Sequence, residues 1–461
     1  MLKRIIGLVT VLLILLGICA CSSSEEAIKD SKNLKNKKTL SIALLYSDRL
    51  LENTITKFEA AHPDIKIEAK DYEGAFSSEK LSSSTVEEES NRSRQAQESY
   101  MKAINTGLMA GNGPDIIDTL TLPYKKIADK NVLVNMSELI KNDKNFDISK
   151  YQQSLLNSCK YNGNLYIMPI NFYITNLFGI NKNIMIKEGI NIDSTKWTWE
   201  DFFDIAQKIK KDINGDGKLD QYALPKMSAK EIFNYIYDNR NFINYDNHTS
   251  NFDSIEFIEL LNFAKDFPTE TVCSPTMDIT KLHKKTDPGT IGFIPVDFMG
   301  YASFVYDQAL FNGEVEYLNM PLYNGKRNPK SFIPYRSFAI NRKSGLKVEA
   351  WEFIKLLLSD EVQNRADMQG FPVNSFALQE DANRFIGDNN NFYEGRNVKA
   401  LTLSDVDRIN KMISEIKTAA YVDNKAEKIV SEGAKEFFSG KKTAEEAAKQ
   451  IQNKINIYLG E

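Results

Sequence analysis

Gly111-Asn112-Gly113-Pro114-Asp115-Ile116-Ile117-Asp118 is the stretch on which the fold turns. Met101, Ile104 and Leu108 recur at helical spacing before it, so a helix resumes near Tyr100 and runs up to the break. Glycine, asparagine and proline stop that helix, and Asp-Ile-Ile-Asp then reads as a short buried strand. Upstream, residues 39–45 alternate and run apolar as a first strand. Leu51, Ile55 and Phe58 mark a helix that Pro63 ends, and residues 65–69 alternate as a second strand. Strands alternating with helices predict an α/β protein with parallel sheets.

The same grammar continues downstream. Residues 164–169 and 177–180 read as two strands, and residues 291–295 and 338–341 as later ones. Thr198 reads as a helix cap, with Asp201 three residues on in an imperfect capping box. Ala350, Phe353, Ile354 and Leu357 form a helical stripe, and Ala444, Ala447, Ala448, Ile451, Ile455 and Tyr458 form the last. The Ser/Glu-rich residues 74–95, with an insertion at 77–95, read as a loop, as do the Asn-rich residues 381–397.

The chain has 461 residues, with 58 Lys plus Arg against 62 Asp plus Glu, a net charge of −4. That length allows about two to four domains. The composition excludes a collagen-like chain, a disulfide-dense mini-protein and a wholly disordered chain. No global basic field exists, which argues against nucleic acid as a partner. The one long apolar run, residues 5–20, excludes a polytopic membrane protein. Behind Lys3 and Arg4 it reads as a secretory signal peptide over residues 1–20; an uncleaved anchor helix is the alternative.

Ile18-Cys19-Ala20-Cys21 resembles a bacterial lipobox. The resemblance implies cleavage before Cys21 and acylation of its thiol and new amine. Ile18 is too large to precede the cut, so Cys21 fits better than Cys19. Loss of Lys3 and Arg4 leaves 56 basic against 62 acidic residues, a mature charge of −6. Residues 21–38 read as a flexible tether of roughly 20–25 Å average reach. The expected location is the outer face of the bacterial cytoplasmic membrane.

Several segments together resemble one family, the extracellular solute-binding lipoproteins of ABC importers, of the sugar type related to maltose-binding protein. Residues 58–67 (FEAAHPDIKI) resemble its first helix-to-strand junction, and residues 111–117 its Gly-x-Gly-Pro-Asp-Ile turn. Residues 162–169 (NGNLYIMP) resemble its Gly-x-x-Tyr-x-x-Pro segment. Residues 180–182 and 197–202 (WTWEDF) resemble the next strand and helix start. Residues 350–357, 359–363 and 371–373 resemble its late helix pair and crossover. The departures are the 77–95 insertion and Tyr335-Arg336-Ser337, where many members carry glycines.

The resemblance implies two α/β lobes, a ligand cleft and three hinge crossovers, near residues 169–171, 332–335 and 372–373. Lobe 1 is expected over 39–170 plus 333–372, and lobe 2 over 171–332 plus 373–461. The implied function is delivery of a mono- or oligosaccharide to ABC permease subunits by a non-enzymatic monomer. A surface glycan hydrolase, a binder of peptides or other polar solutes, and a sensory or adhesive lipoprotein are the alternatives.

A sugar site needs flat apolar faces for the rings and planar polar groups for the hydroxyls. Residues after strands and at crossovers face such a cleft. The candidates are Tyr46 and Asp48 after strand one, Asp118 after the Asp-Ile-Ile strand, and Asn171, Phe172 and Tyr173 after the first crossover. Asp297 and Tyr301 follow a later strand, and Tyr335 and Arg336 sit at the second crossover. Asp118, Tyr173, Tyr335 and Arg336 are the strongest. Trp197, Trp199 and Trp351 read as structural.

Residues 212–220 (DINGDGKLD) place oxygens of Asp212, Asn214, Asp216 and Asp220 at calcium-loop spacing, with the Lys218 carbonyl available. Position 12 is Ala223, so the bidentate carboxylate is missing. A structural calcium and a plain Asp/Gly turn both fit; no cofactor is required. Cys159 and Cys273 have no metal or redox spacing and are expected buried and free, with a single disulfide as the alternative. No G-x-S-x-G, phosphate loop or H-E-x-x-H motif occurs. A paired-carboxylate glycosidase needs no local motif, so its acids alone decide nothing.

Overall fold

The computed structural model describes residues 37–74, 86–237, 242–277, 290–311, 314–326, 330–387, 392–393, 396–420 and 423–460. The expected signal peptide, Cys21 and the tether up to residue 36 lie outside them.

Strands are β1 (Lys38–Leu44), β2 (Ile65–Asp71), β3 (Ile116–Asp118), β4 (Met168–Asn181), β5 (Ile243–Asn244), β6 (Thr249–Ser250), β7 (Phe293–Phe298), β8 (Val315–Asn319), β9 (Ser331–Ile340), β10 (Phe371–Pro372), β11 (Phe392–Tyr393) and β12 (Arg396–Asn397). The principal helices are α1 (Arg49–Ala61), α2 (Val86–Ala110), α3 (Tyr124–Asp129), α4 (Trp199–Ile209), α5 (Ala229–Ile236), α6 (Ile255–Lys265), α7 (Tyr301–Phe311), α8 (Lys347–Leu357), α9 (Ser375–Phe385), α10 (Leu403–Glu415), α11 (Asn424–Phe438) and α12 (Ala444–Gly460).

One mixed sheet runs through the molecule in the order β10-β4-β9-β3-β1-β2, with β7 and β8 also on β4. β1 is central at one end, parallel to β2 and β3, and Leu40, Ile42, Ala43 and Leu44 are buried. The expectation of parallel sheets holds only there, because β7, β8, β9 and β10 all pair antiparallel. The long strands that return between the two ends of the sheet cause this.

β4 is the spine. The two strands expected at 164–169 and 177–180 are parts of one strand, beginning at Met168, which passes through the crossover without ending. Its first half pairs with β9 from Met168↔Phe338 to Thr175↔Ser331. Its second half pairs with β7 and β8. The ladder to β9 slips around Pro169, Asn171 and Phe172, and the ladder to β7 slips between Ile174 and Leu177, where Asn176 has φ 64°. β10 pairs Phe371 and Pro372 with Phe172 and Asn171, so all three expected crossovers lie side by side. Gly370 enters that junction at φ 75°, where a Cβ would come 2.7 Å from the Phe172 carbonyl oxygen. Only glycine passes there without strain.

Local rules explain most helices. The Thr198 capping box forms reciprocally with Asp201, and Trp197, Trp199 and Trp351 are buried. α11 and α12 pack closely: a Cβ on Gly433 would fall 2.4 Å from Ile451 Cγ1. Two expectations are corrected. α2 begins at Val86, well before Tyr100, because Glu, Arg, Gln and Ala favour helix without needing an apolar face. Likewise α9 continues through Phe385, so residues 381–385 are helical rather than loop. Cys159 and Cys273 are buried free thiols. No helix of the described residues is long and apolar enough to cross a membrane.

Asp307 on α7 is 5% exposed and accepts a 2.7 Å hydrogen bond from the Tyr317 hydroxyl of β8. Burial pushes its carboxyl up to about 7. Between about pH 4 and 7 the native state therefore keeps a proton the unfolded chain has released. This group's contribution falls as pH rises through that window, by up to ~1.4 kcal/mol per pH unit. Asp307→Asn is expected to gain stability over the parent between pH 5 and 8. Parallel urea melts check this, and a constant difference across that range would contradict it.

Candidate functional site

The centre of the molecule is built on Arg336, which β9 carries inward at the crossover. The side chain is 2% exposed. Its Nη2 donates to Asp48 Oδ2 at 2.9 Å and its Nη1 to Asp118 Oδ2 at 3.3 Å. Both Nη atoms also reach the Tyr46 carbonyl oxygen at 3.3 Å, and the guanidinium lies 4.6 Å from the Tyr46 ring centroid. Asp48 also starts a helix, since its Oδ1 caps α1 through the Leu51 N–H at 2.8 Å. Asp118 Oδ1 accepts from the Leu120 N–H at 3.0 Å. Burial alone would weaken the Arg336 charge, but Asp118 and Asp48 hold the guanidinium above its ordinary value. Burial pushes Asp118 upward against the pull of Arg336.

Above this cluster three tyrosines form a wall. Tyr46 meets Tyr335 edge-on at 6.5 Å, and Tyr335 meets Tyr173 edge-on at 6.2 Å. All three rings are half-buried. The Tyr335 hydroxyl donates to Gln369 Oε1, next to the third crossover. The Tyr46 hydroxyl is buried and has no hydrogen-bond partner among the described residues. Burial raises the Tyr173 hydroxyl, and the charges of Asp297 and Glu427 add to the rise. Asp297 is solvent-exposed on β7 yet crowded by neighbours; their desolvation raises its carboxyl, opposed by the Thr175 hydroxyl.

Helices α2 and α11 face each other across a groove. Asn424 donates to Gln97 Oε1 at 3.2 Å, and Lys428 pairs with Glu98 at 2.7 Å. The groove is about 810 Å³, and Met101 and Glu427 also line it.

Of the ten expected cleft residues, Tyr46, Asp48, Asp118, Tyr173, Asp297, Tyr335 and Arg336 come together. Arg336 and Asp118 do so as each other's buried partners, not as groups offered to a ligand. Phe172 and Tyr301 are corrected. Phe172 is fully buried against Phe332 and Phe371, because its side of the bulged strand faces the core. Tyr301 is fully buried beside Phe371, and its hydroxyl donates to Asn410 at 3.0 Å. Asn171 is buried as well, and its amide donates to the Gln369 carbonyl oxygen. Gln369 was missed although it adjoins a recognised crossover. Glu427, Gln97 and Asn424 had no local signal, since a groove between helices is formed only by packing.

The Asp212–Asp220 loop is exposed and lies elsewhere, on the chain leaving α4. Asp212 accepts from the Gly215 and Gly217 N–H groups at 2.7 and 2.8 Å, and Asp220 from the Ile213 N–H at 2.9 Å. Among the described residues no three His, Cys, Asp or Glu side chains converge as a metal site.

Removing Arg336 leaves Asp118 buried without its counter-charge. Arg336→Leu is expected to lose about 3–5 kcal/mol of unfolding free energy. Arg336→Lys is expected to rescue it only in part, because one ammonium cannot bridge both carboxylates as the planar fork does. Denaturant melts of both variants check this, and a loss under about 1 kcal/mol in Arg336→Leu would remove Arg336 from its central place.

Comparison with known proteins accords with this geometry. A family model for bacterial extracellular solute-binding proteins matches residues 87–382. The sugar-binding protein MalE of Xanthomonas citri superposes with TM-score 0.59 at 17% identity, covering 92% of this chain and 98% of its own. An ABC substrate-binding protein of Listeria monocytogenes in complex with cycloalternan gives 0.55 at 17%, covering 92% and 99%. The MalE domain of Bdellovibrio bacteriovorus bound to maltotriose gives 0.55 at 16%, covering 92% and 100%. These neighbours share the α/β fold with two lobes about a cleft. The family match spans well over half of the sequence, and this chain therefore belongs to the bacterial extracellular solute-binding proteins.

Proposed function

We propose that the chain is the lipid-anchored substrate-binding subunit of an ABC importer, that it takes a mono- or oligosaccharide into the cleft, and that it performs no chemistry on it. The observation that carries the reading is the wall of Tyr46, Tyr335 and Tyr173. It spans the loop after β1 and both long crossing strands, so a sugar ring stacked there touches both lobes at once. A ligand can favour the closed state only by such contacts, and closure about a hinge is what a permease can sense. The solved neighbours bound to cycloalternan and maltotriose support the ligand class.

The same proposal keeps the lobes as 39–170 plus 333–372 and 171–332 plus 373–461. It keeps the anchor at Cys21, the tether behind it, permease subunits as partners and the outer face of the cytoplasmic membrane as the location.

Thermal melts of the chain from residue 37 onward, against neutral oligosaccharides, test the ligand class. A ligand at about 100 times its Kd adds roughly 2.7 kcal/mol. Tyr335→Ala is expected to weaken that ligand about tenfold while shifting the ligand-free melt little. Appearance of cleaved product, or no shift with any sugar, would sink the reading.

Structural calcium at residues 212–220 belongs to the proposal as an addition that binding does not require. Its support is the donor set of Asp212, Asn214, Asp216 and Asp220, with the Lys218 carbonyl. A melt raised by millimolar CaCl₂, and no longer raised in Asp216→Ala, is the expected result. An unmoved melt would return the loop to a self-capped turn.

A further inference from the structure

We propose that the polar face of α3 is a latch between the lobes: Lys126, flanked by Lys125 and Asp129, completes the end of α12 and holds the lobes together before any ligand arrives. This rests on the lobe boundaries proposed above and not on the identity of the ligand.

α3 lies in the part of the chain assigned to lobe 1. Its apolar residues Tyr124, Ile127 and Ala128 are buried. Its three charged residues all meet groups assigned to lobe 2. Lys126 Nζ donates to the Tyr458 carbonyl oxygen at 2.5 Å and lies 4.0 Å from the Tyr458 ring centroid. Lys125 pairs with Asp246 at 3.6 Å, and His248 Nε2 meets Asp129 Oδ2 at 3.2 Å. Asp246 and His248 stand in the turn between β5 and β6. Ser250 and Phe252 fasten that hairpin to Gln452 and Asn456 of α12.

The Lys126 contact carries the most. The last four carbonyls of a helix have no partner within it, and that end bears partial negative charge. Tyr458 belongs to the last turn of α12, which has no basic residue of its own. Lys126 therefore supplies, from the opposite lobe, the cation that suits this helix end. The Tyr458 hydroxyl donates to both oxygens of Asp423, at 3.0 and 2.9 Å. Asp423 is 1% exposed and caps α11 through the Ala426 N–H at 3.1 Å. The cation thus stands over a ring whose hydroxyl serves a buried carboxylate. Lys425 lies 4.7 Å from the same ring, so lobe 2 keeps one cation there when the lobes part. The two flanking pairs are largely exposed and add little singly. A ligand that selects the closed state binds more tightly in proportion to the share of molecules already closed, so the latch sets affinity from outside the cleft.

The test measures distances by pulsed electron paramagnetic resonance, with no ligand added. It uses the chain from residue 37 onward, which holds every described element. Spin labels go on Glu138→Cys in lobe 1 and Lys208→Cys in lobe 2, both exposed. Cys159 and Cys273 are buried and stay unlabelled. The expected result is a short distance in the parent and about a tenfold lower ratio of short to long distances in Lys126→Met, which keeps the stem and loses the charge. Lys126→Arg is expected to stay short. Asp129→Asn combined with Asp246→Asn alters only exposed carboxylates and is expected to lengthen a smaller share. Matching distributions in the parent and Lys126→Met would overturn the proposal, as would a parent already at the long distance. Should Lys126→Met fail to fold, an unmoved distribution in the double aspartate variant would overturn it instead. Because no ligand enters the measurement, these outcomes leave the sugar reading standing, and failure of every sugar to bind leaves the latch standing.

Discussion

A guanidinium buried where β9 meets the end of β3 and the loop after β1 constrains everything around it. Arg336 cannot leave its place without stranding Asp118, which is 1% exposed. Its two Nη atoms reach carboxylates on different elements, Asp48 at the start of α1 and Asp118 at the end of β3. The loop after β1 must therefore bring Asp48, and the end of β3 must bring Asp118, to the same point on β9. A buried ion pair of this kind adds little net stability over a well-packed apolar substitute, because desolvation offsets the attraction. Its value lies in register. β1, β3 and β9 are locked where the hinge strands begin, and the Tyr46 ring is held against the guanidinium as the first panel of the cleft wall.

The hinge follows from the same register. β4 and β9 are continuous across the crossover, so the two halves of the molecule share hydrogen-bonded backbone rather than loose linkers. Bulges at Pro169–Phe172 and at Asn176 interrupt the ladder between those halves. Phe172 seals the junction from one side and the tyrosine wall covers the other. Alternation along a strand thus separates a core residue from its cleft neighbours: Phe172 points inward, Tyr173 outward. A bulge between Asn171 and Phe172 shifts that alternation, and a place after the crossover, the ground for expecting Asn171, Phe172 and Tyr173 at the cleft, does not separate the two faces of a strand.

Much of the fold was legible without coordinates. The Gly111–Pro114 break, the strands on either side and the Thr198 cap all form where residue chemistry places them, because each rests on contacts a few residues apart. The resemblance of segments such as residues 162–169 and 371–373 located the crossovers. The early start of α2 was not legible, since its first turns have no apolar stripe and helix propensity is a weak signal beside periodicity. Seven of the ten expected cleft residues converge, yet their roles differ from expectation. Aspartate and arginine are equally suited to a sugar and to each other, and only distance decides between the two.

Sequence alone determined the class of architecture and the order of elements, and the family resemblance supplied the crossover positions. The first two depend on hydrophobic period and turn chemistry. Tertiary structure decided which charges are used up and which remain. Arg336 and Asp118 neutralise each other although 218 residues separate them. Electrostatic energy depends on separation in space and on burial, and neither quantity is written along the chain.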